Sequence, residues 1–212
     1  MQKVLLLGAA SQISKYLIPD LLEQTDVALT LFARHATTRL ATYQANPRVT
    51  LVDGDWNDES QLQTAIRGHD LVYLATGHFK TANENVVSAM HATGVTRLVV
   101  AGGLGIYDEV VGKFGQWNAS MMGDYTQFKE AAAVIDQSQL DYTFMRMSWL
   151  YDDQTHLDYE LIPKGMPFKD AQVTRQAVAQ LVTDIVKNPE LAKGENVGVG
   201  EPNTEFDRPS FY

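Results

Sequence analysis

Residues 4–14 read VLLLGAASQIS, a short apolar run followed at once by small residues. The apolar run has the length of a buried strand, whereas Ile13, Leu17 and Leu21 recur at the period of a helix. Gly8 stands at the junction, where a tight turn is needed and where the first N–H groups of the helix lack partners. A strand–turn–helix unit of this kind offers an anion the positive end of a helix dipole. The stretch therefore predicts a phosphate-binding turn.

Strand-length apolar runs go on alternating with helical segments along the chain. Parallel strand–helix–strand units with right-handed crossovers bury their sheet between two helix layers. The alternation therefore predicts an α/β fold, a Rossmann-like doubly wound parallel sheet in a three-layer αβα sandwich, and one domain over residues 1–212. The expected strands are residues 4–7, 27–32, 49–52, 71–75, 97–101, 142–147 and 197–199.

Several helix ends carry sequence signals. Residues 81–84 read TANE, the pattern of a capping box, and Gly94 stands where a glycine ends that helix. Asp124 is expected to cap the next helix and Thr174 to open the last one. The glycine-rich stretch after the fifth strand is expected to be a loop.

The composition excludes several classes of protein. With 26 acidic and 17 basic residues the formal net charge is −9, and so acidic a surface repels phosphate backbones, so we expect no nucleic-acid partner. The absence of cysteine rules out a disulfide scaffold and thiol chemistry, and the scattered histidines lack metal spacing. No apolar run reaches the roughly 20 residues that span a bilayer. We therefore expect a cytoplasmic protein with no metal and no membrane partner.

Residues 8–14 have the spacing G-x-x-G-x-x-G of a phosphate loop, with serines at the second and third glycine positions. Gly8 supplies the turn, and a small side chain such as that of Ala10 permits a close backbone approach. Ser11 is expected to donate a hydroxyl or to cap the helix. An ordinary strand–helix turn with a small-residue cap is the alternative. The predicted cofactor-binding residues of the loop are Gly8, Ala10, Ser11, Gln12 and Ile13.

The residue after the second apolar run discriminates between two cofactors. An acidic residue there, about 20 residues beyond the loop, binds the ribose 2′-hydroxyl of NAD. This chain carries Arg34 instead, and a guanidinium suits the 2′-phosphate of NADP; Arg39 can join it. The sequence therefore favours NADP(H), with NAD(H) as the second choice. A surface arginine in a loop is the alternative.

Short motifs at the ends of successive strands resemble one family. They are residues 8–14, Gly54-Asp55-Trp56, Ala75-Thr76-Gly77, residues 101–107 and residues 140–146. Their order and spacing resemble the atypical short-chain dehydrogenase/reductases, in the NmrA-like, NAD(P)H-binding branch. The resemblance implies that Asp55 and Trp56 flank the adenine and that Thr76 and Gly77, with Ala75, run beside the ribose and phosphates. It also implies a small substrate-side cap over residues 148–173.

Tyr125 and Lys129 match the Tyr-x-x-x-Lys pair of that family. Residues four apart share a helix face, so the ammonium of Lys129 would lower the pKa of the phenol, which passes a proton to a carbonyl oxygen. The family's hydroxyl partner is missing, because residues 100–103 read VAGG. Tyr107 is a second candidate, on a loop over the same crevice. A helix-edge tyrosine with a solvated lysine is the alternative reading of the pair.

Arg146 ends a strand that the pattern buries, so its charge needs a partner. We expect it to anchor the loop over residues 149–159 or to bind an anionic substrate.

The residues support two main classes of function. The first is an NADP(H)-binding oxidoreductase that reduces a small carbonyl or quinone-like substrate by hydride transfer, which the Tyr125/Lys129 pair favours. The second is a non-catalytic NADP(H)-sensing regulatory protein, which the missing hydroxyl favours. A Rossmann scaffold used for protein contacts alone is a third. We expect a monomer or a homodimer.

Overall fold

The computed structural model describes all 212 residues, Met1–Tyr212. The strands are β1 (Lys3–Leu7), β2 (Ala28–Ala33), β3 (Val49–Asp53), β4 (Leu71–Leu74), β5 (Arg97–Gly103), β6 (Asp141–Met147), β7 (Trp149–Tyr151), β8 (Glu160–Pro163), β9 (Gln172–Thr174) and β10 (Glu195–Gly200). The helices are α1 (Ser14–Gln24), α2 (Ala36–Arg39), α3 (Glu59–Ile66), α4 (Lys80–Thr93), α5 (Gly112–Met122), α6 (Thr126–Asp136) and α7 (Arg175–Lys187).

Eight strands form one sheet in the order β3-β2-β1-β4-β5-β6-β10-β8. Every neighbouring pair is parallel except β10 and β8. The chain runs outward from β1 to β3 and then returns to β4 on the other side of β1. The strand order therefore reverses between β1 and β4, and a crevice opens there at the carboxyl ends of the strands.

Alternate residues of the strands pack on opposite faces of the sheet. On β1, Val4 and Leu6 face the layer of α1 and α7, whereas Leu5 and Leu7 face α3, α4 and α6. Because helices cover both faces, β1 and β4 at the middle of the fold are almost entirely apolar. This arrangement confirms the predicted three-layer, Rossmann-like α/β fold. None of the helices combines the length and the hydrophobicity that crossing a membrane requires.

The helix ends confirm some signals and correct others. Gly94 ends α4 at φ +73°, and the Thr174 hydroxyl accepts a hydrogen bond from the N–H of Ala177 at 2.9 Å, both as predicted. The capping box at residues 81–84 is wrong, because α4 already begins at Lys80 after an extended Phe79. Thr81 therefore lies inside the first turn and has no role as a cap.

The stretch after β5 contains a helix that the sequence did not predict. Its glycines suggested a loop, yet residues 112–122 form α5. Gly115 is needed for this packing, because a β-carbon there would lie 2.3 Å from the carbonyl oxygen of Val110. The next helix begins at Thr126, and the Asp124 carboxylate accepts from the Thr126 N–H at 2.9 Å, which caps that helix from just outside it.

Residues 148–173 contribute strands to two sheets. β7 and β9 pair in parallel as a separate two-stranded sheet. β8 joins the main sheet as its antiparallel edge strand beside β10. That this segment acts as a cap over a substrate stays a prediction.

Asp170 is a buried carboxyl in this region. Its side chain packs on Gly200, where a β-carbon would lie 2.3 Å from the carboxylate oxygen Oδ2. Burial first, and then the neighbouring Glu160, raise the pKa of Asp170 to about 7. An aspartate in an unfolded chain has a pKa near ~3.9. Between those two values the folded protein holds a proton that the unfolded chain releases.

We predict that Asp170 makes the free energy of unfolding fall as the pH rises. Its contribution is complete below about pH 4 and is lost as the pH rises through about 7. Asp170→Asn mimics the protonated carboxyl and should flatten that decline in urea unfolding curves at pH 5 and pH 8. Asp158→Asn, at an exposed carboxylate in the same segment, should keep the wild-type decline. An equal decline in wild type and Asp170→Asn would contradict the assignment.

Candidate active site

A pocket lies at the carboxyl ends of β1, β2, β3 and β4, where the strand order reverses. It brings together most of the predicted cofactor-binding residues, whereas Gln12, Ile13 and Gly77 lie outside its lining. Arg39, Phe32, Ala33 and Gly54 complete the wall. The lining consists of Gly8, Ala10, Ser11, Phe32, Ala33, Arg34, Arg39, Gly54, Asp55, Trp56, Ala75 and Thr76.

Gly8 is required at the floor of the pocket for two reasons. Its φ is +84°, a conformation that side-chain-bearing residues rarely adopt. A β-carbon there would also lie 2.9 Å from the β-carbon of Ala75 and 3.3 Å from the indole of Trp56. The missing side chain therefore lets the ends of β1, β3 and β4 meet.

The two serines of the loop hold it in shape. The Ser14 N–H donates to Ser11 Oγ at 3.2 Å, and the Ser14 hydroxyl donates to the carbonyl of Gly8 at 3.2 Å. The Ser11 hydroxyl donates in turn to Ser14 Oγ at 2.9 Å. Ser11 thus caps the start of α1, one of its two predicted roles. Ser11 and Ser14 stand where the motif usually has glycine, and their side-chain hydrogen bonds close the turn.

Three backbone N–H groups of the same loop remain unpaired. Gly8 and Ala9 donate to the carbonyl of Phe32, whereas the N–H groups of Ala10, Gln12 and Ile13 have no acceptor within the protein. Unpaired N–H groups at the start of a helix are the donors that a phosphate accepts from. Gln12 and Ile13 lie outside the pocket lining, and the Ile13 side chain is buried in the core. Their N–H groups can still donate to an anion.

Two arginines stand where β2 enters the pocket. Arg39 donates from Nη2 to the carbonyl of Ala10 at 3.1 Å and from Nη1 to the carbonyl of Arg34 at 3.5 Å, which ties β2 to the loop. Arg34 is exposed and its guanidinium has no partner in the protein. The nearby Asp53 accepts from the N–H of Ala36 and from the Thr37 hydroxyl, and the Thr37 bond is the main reason that its pKa is lowered. Arg34 is therefore free to bind an anion.

In the motifs after β3 and β4, glycines again allow the backbone to pack closely on neighbouring residues. Gly54 lies on the Phe32 ring, where a β-carbon would be 2.3 Å away. The Asp55 carboxylate accepts from the N–H and side-chain amide of Asn57, both at 2.9 Å, which turns Trp56 into the pocket wall. Gly77 donates its N–H to the carbonyl of Ala101 at 2.7 Å and so joins the end of β4 to β5.

Tyr125 and Lys129 do not form the predicted pair. The ammonium of Lys129 bonds Asp108 at 3.3 Å, whereas the Tyr125 hydroxyl oxygen accepts from the amide of Asn118 at 2.7 Å. Burial raises the pKa of Tyr125, which the Asn118 bond partly offsets. The expected lowering of this pKa by Lys129 is therefore wrong. Tyr125 also precedes α6 as its N-cap residue and is not within the helix.

Tyr107 and Arg146 have structural partners. The Tyr107 hydroxyl donates to Asp136 at 2.6 Å, and burial together with that carboxylate raises its pKa. The buried Arg146 bonds Glu109 at 2.5 Å, and Glu109 accepts from the N–H groups of Gly105 and Tyr107. Arg146 thus anchors the loop after β5, which corrects the expectation that it anchors residues 149–159 or binds a substrate.

Sequence reasoning missed Asn118 and Trp149. Asn118 lies in the unexpected helix α5, and its two partners, Tyr125 and Trp149, are 7 and 31 positions away along the chain. No local pattern marks contacts of that kind.

Several solved structures share the fold of this chain. A short-chain dehydrogenase/reductase from Veillonella parvula DSM 2008, in complex with NADP, is 31% identical with a TM-score of 0.92 over 99% of each chain. A Rossmann-fold NAD(P)-binding family protein from Shigella flexneri is 33% identical with a TM-score of 0.81 over 100% of each chain. ChuY, an anaerobillin reductase from Escherichia coli O157:H7, is 22% identical with a TM-score of 0.75, over 95% of this chain and 98% of its own. That last likeness concerns the fold alone.

No curated protein matches the chain. A family described as NAD(P)H-binding matches residues 8–189, from the first glycine of the loop to the end of α7 and just beyond. The match includes every strand end that lines the pocket. The chain therefore belongs to the NAD(P)H-binding family.

Proposed function

We propose that the protein is an NADPH-dependent oxidoreductase that reduces a small carbonyl or quinone-like substrate. The observation that carries this proposal is the pocket itself, in which a phosphate loop with unpaired N–H groups faces the exposed Arg34. The loop suits the pyrophosphate of a dinucleotide, and Asp55 and Trp56 suit its adenine end.

Arg34 favours NADP(H) over NAD(H). A guanidinium binds a phosphate with charge-assisted, bidentate hydrogen bonds, and Arg39 stands beside it. The pocket lining at the end of β2 is otherwise apolar, and the carboxylate at the end of β3, Asp53, is engaged by Ala36 and Thr37. The Veillonella protein bound to NADP supports the same choice.

Tyr125 is the proposed proton donor. A bound NADPH would supply a hydride for the carbonyl carbon, so the task left to the protein is to give a proton to the carbonyl oxygen. The Tyr125 oxygen accepts one hydrogen bond, from Asn118, and its own proton has no acceptor in the protein. It lies beside Gly105 in the loop after β5, at the edge of the sheet that holds the pocket. We assign Lys129 no direct part in this step, since Asp108 holds its ammonium.

A second function is favoured by a specific observation. No hydroxyl side chain stands at the end of β5, where residues 101–103 are alanine and two glycines, and Lys129 is paired elsewhere. Both features suit a regulatory protein that binds NADP(H) without turnover. The cytoplasmic location and the monomeric or homodimeric state stay predictions.

We predict that Arg34→Ala weakens NADPH binding by about ten- to a hundredfold and leaves NADH binding nearly unchanged, because bonds to a charged group contribute about 1.5–3 kcal/mol. The Trp56 indole lines the pocket, so its fluorescence can follow both titrations. Arg67→Ala, at an exposed arginine after α3, is the matched control and should bind both cofactors normally. Equal losses for NADPH and NADH in Arg34→Ala would contradict the 2′-phosphate role.

We predict that Tyr125→Phe lowers kcat for NADPH-dependent reduction of menadione by about a hundredfold or more, because a positioned acid contributes about 10²–10⁴-fold. Binding of NADPH should not change. Tyr16→Phe, at a half-buried tyrosine on α1, is the control. Turnover that survives unchanged in Tyr125→Phe would remove Tyr125 as the acid, and NADPH binding without any wild-type turnover would favour the regulatory function.

A further inference from the structure

Asn118 links the proposed proton donor to a tryptophan. It is buried on α5, with its amide nitrogen Nδ2 2.7 Å from the Tyr125 oxygen and its Oδ1 2.8 Å from the indole nitrogen of Trp149. These two bonds use both ends of one amide. Both bonds lie within the group formed by Asn118, Tyr125 and Trp149.

Trp149 decides which way the amide points. An indole N–H only donates, so the atom of Asn118 that faces it must be the carbonyl oxygen. The amide nitrogen then faces Tyr125 and donates to the phenol oxygen. The Tyr125 proton is therefore not used in this bond, and no other protein atom accepts it.

Aromatic packing holds Trp149 in place. Its ring centroid lies 4.8 Å from that of Trp117 and 5.3 Å from that of Tyr212. Trp117 makes no hydrogen bond to Asn118. The chain therefore offers a tryptophan in the same cluster that shares the packing and lacks the bond.

The amide and the phenol lie directly against the end of β5. A β-carbon on Gly105 would be 2.7 Å from the Tyr125 oxygen and 3.0 Å from Asn118 Nδ2. Glu109 fixes this loop by accepting from the Gly105 N–H at 3.1 Å. The free proton of Tyr125 is thus placed at the same edge of the sheet as the pocket.

The charges around Tyr125 make the Asn118 bond important. Burial is the main cause that raises the pKa of the Tyr125 phenol, and Glu109 and Asp108, on the loop after β5, raise it further. Lys129, on α6, bonds Asp108, and Phe128 presents only its ring, with a centroid 6.5 Å from that of Tyr125. Among these groups, the Asn118 amide is the one that stabilises the phenolate by a direct hydrogen bond.

We propose that Trp149 and Asn118 are positioning residues that hold the Tyr125 hydroxyl so that its proton points into the crevice, towards the substrate oxygen. The proposal rests on the proposed function, in which Tyr125 is the acid. It assigns the orienting role to an amide fixed by an indole N–H, in place of the lysine of the sequence motif.

The test is a pH titration of the Tyr125 phenol by NMR on protein labelled with ¹³C at the tyrosine ζ carbon, with Tyr125→Phe to assign the signal. Trp149→Phe keeps an aromatic ring, although a smaller one, and removes the indole N–H, so the amide can rotate and the Tyr125 pKa should rise by about 0.5–1 unit. Asn118→Asp replaces the donor with an acceptor and should raise the pKa further. Trp117→Phe is the matched control and should leave the pKa unchanged.

The same variants are then assayed for menadione reduction by NADPH. Trp149→Phe and Asn118→Asp should lower kcat several-fold with little change in the KM for NADPH, and Trp117→Phe should not. A Tyr125 pKa that is unchanged in folded Trp149→Phe and Asn118→Asp overturns the proposal, whether or not the wild type turns over. A kcat that is unchanged in both variants overturns it as well. Failure of the proposed function is seen separately, as absent NADPH binding or absent NADPH oxidation by the wild type.

Discussion

The close approach at Gly8 is the constraint on which the pocket depends. Because this residue has no side chain, the end of β1 packs on Ala75, just after β4, and on Trp56, in the segment after β3. Three strand ends then form one wall at the point where the strand order reverses. The N–H groups of Ala10, Gln12 and Ile13 remain unpaired in the loop above that wall.

The proposed functional residues lie at the carboxyl ends of several strands of the sheet. The loop at the end of β1 is the proposed anion site, the end of β2 carries Arg34, and the end of β5 carries the loop against which Tyr125 lies. The buried ion pair between Arg146 and Glu109 holds that last loop in place. A buried ion pair of this kind is weak evidence for stability, but losing one partner leaves a buried charge and would disturb the loop.

Much of the fold and of the candidate pocket could be predicted from the sequence, because both depend on local patterns. Buried strands are apolar runs, and the loop between β1 and α1 is continuous in the chain. The contacts that could not be predicted join distant residues: Arg146 meets Glu109 across 37 positions, and Trp149 meets Asn118 across 31. The Tyr125/Lys129 motif failed in geometry for a related reason, since Asp108, 21 positions from Lys129, holds the ammonium. Helix α5 was missed because glycines are typical of loops, whereas Gly115 permits a close approach of this helix to Val110.

We propose that the loop after β1 binds the pyrophosphate of NADPH through its unpaired N–H groups. Amide hydrogen exchange, measured residue by residue by NMR with and without NADPH, tests it most directly. NADPH should slow exchange at Ala10, Gln12 and Ile13 and should change it little at Gly8 and Ala9, which already donate to Phe32. NADPH binding that leaves exchange at Ala10, Gln12 and Ile13 unchanged would contradict it.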